Sequence, residues 1–172
     1  MHMKNILPIL TLTTLAAAAS AQAAAPAAAG LNYNRVGLGY NTDTKGYSLS
    51  ATAVLGSSNF WVGASSTIGG ADGAAASNGT DSIAIGYLFA NVYAGIDATV
   101  SVASNEAYTL GLRKALGNNF EAAASFGRNS ADNNVWGAEL AYNVSKQIQL
   151  AVGVSDGQGA ASTSDITVRY NF

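Results

Sequence analysis

Six charged residues interrupt runs of alternating apolar and small polar residues: Arg35, Asp97, Arg113, Glu121, Glu139 and Arg169. Three guanidiniums and three carboxylates are suited to charge-assisted pairing and poorly suited to proton transfer near neutral pH. The one histidine, His2, lies in a leading segment expected to be removed, and the chain has no cysteine. Ser–His and His–Asp constellations, an imidazole shuttle, thiolate chemistry and a disulfide framework are therefore excluded. The reading is of a protein that is not an enzyme, with no cofactor and no metal site. A single Gly-Asp loop, GGADG around Asp72, has the look of a calcium-binding turn but in one copy is read as a plain turn.

The elements that hold these charges have a period of two. In QIQLAVGVS, Ile148, Leu150, Val152 and Val154 alternate with Gln147, Gln149, Ala151, Gly153 and Ser155. VWGAELAYNV repeats the pattern with Trp136, Ala138, Leu140, Tyr142 and Val144 on one side. Such alternation marks strands with two unlike faces. Turn signals divide the chain into roughly ten strands of a length suited to tilted membrane crossing. They are expected at residues 31–40, 46–55, 60–68, 81–89, 92–103, 107–116, 120–128, 135–144, 147–155 and 164–172. Connectors alternate between tight (GSSN, AN, GNN, SK) and longer ones (GGADGAAASNGT, DGQGAASTS).

Composition decides which face meets which solvent. Hydrophobic residues make up 49% of the chain and charged ones only 10%, against about 25% charge in ordinary soluble domains. A soluble barrel or sandwich would have to clothe itself in Ser, Gly, Ala and Asn. A transmembrane barrel puts its apolar face on lipid and needs few charges. By strand parity all six charges fall on the polar face, while Lys114 and Arg128 take the other parity at strand ends. Twelve aromatics, from Tyr40 to Phe172, fall on the apolar face, mostly near strand ends as interfacial girdles require. A net charge of -2 offers no footing for nucleic acid. Residues 1–23, with Lys4, an apolar run and Ala-rich cleavage sites after Ala21 or Ala23, read as an export signal. Residues 24–30 read as a flexible leader and 31–172 as the barrel. The fold class expected is thus an all-β, antiparallel up-and-down transmembrane barrel of ten strands, with eight as the alternative.

Residues 31–172 resemble the small single-chain bacterial outer-membrane barrels, which include the OmpX-like proteins and the OmpA transmembrane domain. LNYNRVGLGY, YTLGLRKALGNNFEAAASFG and the closing VRYNF are similar to a branch of short xanthomonad-type barrels proposed as immune-activating signals. The chain departs from OmpX and OmpA in strand number and lacks their long outer loops. Ile166, Val168, Tyr170 and Phe172 resemble the C-terminal signal read by the outer-membrane insertion machinery. The resemblance implies a monomer in the bacterial cell outer membrane, with lipid and lipopolysaccharide as its surroundings.

Hairpin geometry then places the charges. Folding about Gly117 sets Arg113 opposite Glu121, and folding about Asn105 sets Asp97 opposite Arg113. With Glu139, Arg169 and Arg35 at a similar depth, the six are expected to form one balanced belt closing the lumen. The alternative is a narrow wet channel lined by scattered charges. Tyr33, Trp61 and Tyr93 each begin an odd-numbered strand with inward parity, predicting an aromatic floor at the periplasmic mouth; a one-residue register shift would instead turn them outward.

Overall fold

In a computed structural model the described residues are 31–68, 81–129, 131–158 and 161–172. The export signal, the leader and the GGADG loop lie outside them. Ten strands follow in order: β1 (Arg35–Asn41), β2 (Tyr47–Val54), β3 (Phe60–Ile68), β4 (Ser82–Tyr93), β5 (Ile96–Ala103), β6 (Tyr108–Gly117), β7 (Phe120–Arg128), β8 (Asn134–Asn143), β9 (Ile148–Gly157) and β10 (Thr163–Asn171). Each pairs antiparallel with its sequence neighbour, and β1 pairs with β10, Leu38 facing Val168, so the sheet closes on itself. Closure leaves no edge strand with unpaired backbone groups.

Apolar side chains on alternate positions form the outer wall, except past the bulge at the end of β4. Leu38, Val100, Leu110, Leu140, Val152 and Val168 stand outside, each more than 40% exposed. Aromatic residues collect at both rims of this apolar band. Tyr40 packs on Tyr47 at one end, and Phe60–Tyr87–Phe89 and Phe120–Tyr142 cluster at the other, with ring centroids 4.8–5.2 Å apart. The two ends differ in their connections. At one, here the turn end, β6–β7 and β4–β5 close through two-residue turns whose central residues have positive φ: Asn118 and Asn119 at 49° and 67°, Ala94 and Gly95 at 48° and 77°. Those angles suit the right-handed twist of the paired strands. The β2–β3 and β8–β9 connections lie at this same end, and the other five join strands at the opposite, loop end.

Two strand boundaries depart from the sequence expectation. The β4–β5 turn falls at Ala94-Gly95 rather than Ala90-Asn91, and the β4–β5 register shifts between Phe89 and Tyr93. Asn91 takes φ of 51°, and its amide N–H donates to Asp97 Oδ1 at 2.8 Å. Its own side-chain oxygen accepts from Gly95 N at 2.9 Å, so the chain bulges at Asn91 and turns three residues later. At the other boundary, residues 31–34 do not extend β1. They lie inside the barrel, with Leu31, Tyr33 and Asn34 at 5%, 8% and 6% exposure.

That inward segment builds what apolar core the lumen has. Leu31 and Tyr33 pack with Val54 and Leu88, flanked by Trp61 and Ala115, all near the turn end. The segment is held by β2 and by the residue after β10: Thr52 Oγ1 donates to Tyr33 O at 2.8 Å, Val54 N to Asn34 Oδ1 at 2.8 Å, and Phe172 N to Asn34 O at 3.1 Å.

Candidate functional site

Inward positions on neighbouring strands lie at one height only where the register brings them there. Asp97 and Arg113 are direct partners across β5–β6, as the hairpin argument expects. Arg113 and Glu121 are not: a shift between Ala115 and Gly117 sets Arg113 opposite Ala123 and Glu121 opposite Ala115. Together the tight Asn118-Asn119 turn and the bulge beside it move the partner two positions from the register of a hairpin folded about Gly117. The two side chains still meet on the diagonal, because both are long. Arg113 Nε and Nη2 lie 2.7 and 2.5 Å from Glu121 Oε1, with Glu121 2% exposed.

From this pair a chain of contacts crosses the lumen. Gln149 Nε2 donates to Glu121 Oε2 at 3.1 Å and to Asn143 Oδ1 at 2.9 Å. Arg169 Nη1 donates to Gln149 Oε1 at 3.1 Å and to Glu139 Oε1 at 2.6 Å, while Arg169 Nη2 contacts Glu139 Oε2. On the other side, Arg113 Nη1 donates to Asn32 O at 3.1 Å, and its guanidinium sits 4.3 Å from the Tyr33 ring centroid. The Tyr33 hydroxyl donates to Asp97 Oδ2 at 3.0 Å. The resulting septum reads Asp97–Tyr33–Arg113–Glu121–Gln149–Arg169–Glu139. It joins β5, the inward segment, β6, β7, β9, β10 and β8.

Five of the six charges expected in a belt are thus linked, although not as a continuous ladder of ion pairs. Asp97 meets no guanidinium among the described contacts and is joined to Arg113 through Tyr33. Arg35 departs from the expectation: its Nη1 is buried without a hydrogen-bond partner, and it makes no salt bridge among the described residues. Every oxygen of Asp97, Glu121 and Glu139 already accepts from a donor other than Arg35.

The aromatic floor does not form. Tyr33 is inside, but as part of the septum, and Trp61 lies flat on the inner wall, where a Cβ on Gly86 would stand 2.4 Å from its Cε2. Tyr93 is 76% exposed, because the turn shift places it on the last pair of β4 instead of the start of β5. Ile166, Val168 and Tyr170 face outward at 51%, 47% and 48% exposure. Phe172 follows β10 and donates its N–H to Asn34.

The sequence reasoning missed Gln149, Asn32, Asn143 and the structural use of Tyr33. Gln149 had a legible signal: it is a long amide at inward parity two residues into β9. The inward turn of residues 31–34 had none, since LNYN alternates as a strand does.

On either side of the septum lies a cavity. The turn-end vestibule, of ≈ 450 Å³, is lined by Asn32, Asn119, Glu121, Lys146, Gln149 and Asn171. The loop-end vestibule, of ≈ 460 Å³, is lined by Arg35, Trp61, Arg113 and Glu139 at its base and by Ser155 and Asp165 toward the loops.

No protein-family model matches the sequence, and no curated protein sequence matches it either. Solved structures do. The KdgM porin matches over 80% of this chain and 99% of its own, at 10% identity and a TM-score of 0.57. A structure titled as the KdgM porin in complex with disordered oligogalacturonate matches over the same shares at 11% identity and the same TM-score. The Acinetobacter baumannii outer membrane protein Omp33 aligns over 83% of this chain and 100% of its own, at 14% identity, but at a TM-score of 0.33, too low to bear on the architecture. At such identities the likeness to KdgM establishes a shared barrel fold and nothing finer.

Proposed function

We propose that this chain is a monomeric integral protein of the bacterial outer membrane, with a structural or surface-interaction role and a lumen closed by its septum. The septum is the observation that carries the reading: seven side chains from six strands and the inward segment are tied to one another across the tube. Leu31, Tyr33, Val54 and Leu88 back it with apolar packing near the turn end. The lipid-facing assignment rests on the outward apolar band and its two aromatic rims, the pattern hydrocarbon between two interfaces demands. Lipid, lipopolysaccharide and the insertion machinery are the partners this placement implies, and the lumen side chains carry no catalytic role. The finer likeness to the OmpX, OmpA and short xanthomonad-type barrels rests on strand texture alone, and a surface-signalling role would follow from that last branch.

A passive channel is the second reading. It is favoured by the likeness to a porin and by the two vestibules, which among the described residues leave only the septum and the apolar cluster behind it between them. Planar-bilayer recording of the purified, detergent-solubilised chain separates the two. A closed barrel gives no resolved ion steps, whereas steady open steps from the unmodified chain reject closure. Fractionation tests placement: recovery from culture supernatant without detergent, and without heat-modifiable migration on gels, would mean a secreted soluble β-protein.

A further inference from the structure

A guanidinium inside a protein is costly unless something answers its charge. Arg113 and Arg169 are paired directly with Glu121 and Glu139. Arg35 makes no ion pair among the described residues, and those two carboxylates act on it only at longer range. Its Nη1 is shut off from solvent with no acceptor in reach, and neighbouring strands present it with Thr52 and Asn171, neither of them charged. Glu139, on the same vestibule wall, has both oxygens on Arg169. The other lining carboxylate, Asp165, faces Asn41, six residues along the β1–β10 ladder, or roughly 20 Å at about 3.3 Å per residue.

Trp61 lines the same vestibule, with its buried Nε1 turned to the wall, where a Cβ on Gly86 would stand 2.5 Å from it. At ≈ 460 Å³, the cavity lies within the usual range of small-molecule sites. Hydroxyls of Thr99, Ser101, Thr109 and Ser125 line its wall.

We infer that the loop-end vestibule is a binding site for a small hydroxylated monocarboxylate, whose anionic group is held by Arg35. The hydroxyl-bearing wall suits a polyol body, and Trp61 supplies an apolar ring face. Arg35 is the one lumen guanidinium without an ion pair among the described residues, so it answers a single anionic group. Entry is from the loop end, so the site does not depend on whether the septum conducts.

The test uses Trp61 as reporter in the full chain carrying Trp136→Phe, which removes the only other tryptophan from the lipid-facing wall. Gluconate is the probe, with sorbitol as its uncharged counterpart and chloride at equal ionic strength as the inorganic anion. A saturable change in Trp61 emission with gluconate, absent with sorbitol and chloride, is expected. Arg35→Gln should weaken it by ~10-fold or more, the loss of a hydrogen bond to a charged group. Arg35→Lys, which retains the charge, should keep more of it. Heat-modifiable migration reports whether each variant is folded. Should Arg35→Gln fail to fold, the thermal midpoint of the parent decides, and it should rise with gluconate but not with sorbitol or chloride. An equal response to chloride would reduce the site to general screening, and an equal response to sorbitol would remove the anion from the argument. No saturable response would mean that Arg35 is merely hydrated. Any of the three overturns the assignment.

Discussion

Removing Arg113 should both destabilise the barrel and open it. Its guanidinium supplies two of the three contacts on the Glu121 carboxylate, at 2.7 and 2.5 Å, and leaves Gln149 alone at 3.1 Å. Glu121 is 2% exposed, and breaking a buried pair by deleting one partner costs about 3–5 kcal/mol. The turn-end vestibule borders Glu121, so water can reach the abandoned carboxylate, which favours the lower end of that range. The lost contact with the Tyr33 ring adds about 0.5–2 kcal/mol. Arg113→Ala is therefore expected to lower the free energy of unfolding by about 3–5 kcal/mol in urea titrations of vesicle-inserted protein. The double variant Arg113→Met/Glu121→Met removes both charges and should recover about 2 kcal/mol, the coupling typical of residues in one network. In planar bilayers the unmodified chain should be silent, whereas Arg113→Ala should show ion steps through the breach. If Arg113→Ala unfolds at the same urea concentration as the parent and neither differs in conductance, the septum is not what closes the tube.

Three further expectations test separate parts of the account. Val152 faces outward at 54% exposure, between Leu140 and Ile166, so Val152→Arg should cost about 2–4 kcal/mol in a bilayer, and Ile148→Arg near the rim about 0–1. Equal costs at the two depths, read by urea unfolding in vesicles, would count against lipid contact. A Cβ on Gly86 would stand 2.4 Å from Trp61 Cε2 and 2.5 Å from Val100 O. Gly86→Ala should therefore displace the indole, costing about 1–3 kcal/mol with a shift in Trp61 emission. Tyr33→Phe keeps the ring under Arg113 but deprives Asp97 of the hydroxyl at 3.0 Å. The expected loss is about 1.5–3 kcal/mol, and an unchanged unfolding midpoint would mean that Asp97 is satisfied without it.

The strand pattern was legible because a strand with two unlike surroundings must alternate. From parity alone Leu150, Val152 and Val154 could be placed on one face and Gln149 and Ala151 on the other, and β9 keeps that arrangement. The Asp97–Arg113 pairing was legible for the same reason, since a short hairpin leaves few registers. The Arg113–Glu121 register was not, because a two-residue turn and the bulge beside it together move the partner by two positions while leaving parity intact. Tyr93 shows the same limit: Asn91 bulges, the turn moves to Ala94-Gly95, and the ring ends on the outside. Arg35 and Arg169 look equivalent as lumen arginines, yet Glu139 and Gln149 lie within reach of one and engage neither nitrogen of the other.

The amino-acid order alone determined which side of each strand is oily and that the six lumen charges lie opposite that side, while the structure decided for ten strands over eight. The first two properties are local, set by the two-residue period of an extended chain. Closure of β1 on β10, the inward turn of residues 31–34 beneath Arg113, and the exclusion of Arg35 from the septum were decided only by tertiary structure. Each depends on which side chains from distant strands reach the same height in the barrel, and a shift of one bulge changes that height without altering the pattern along any strand.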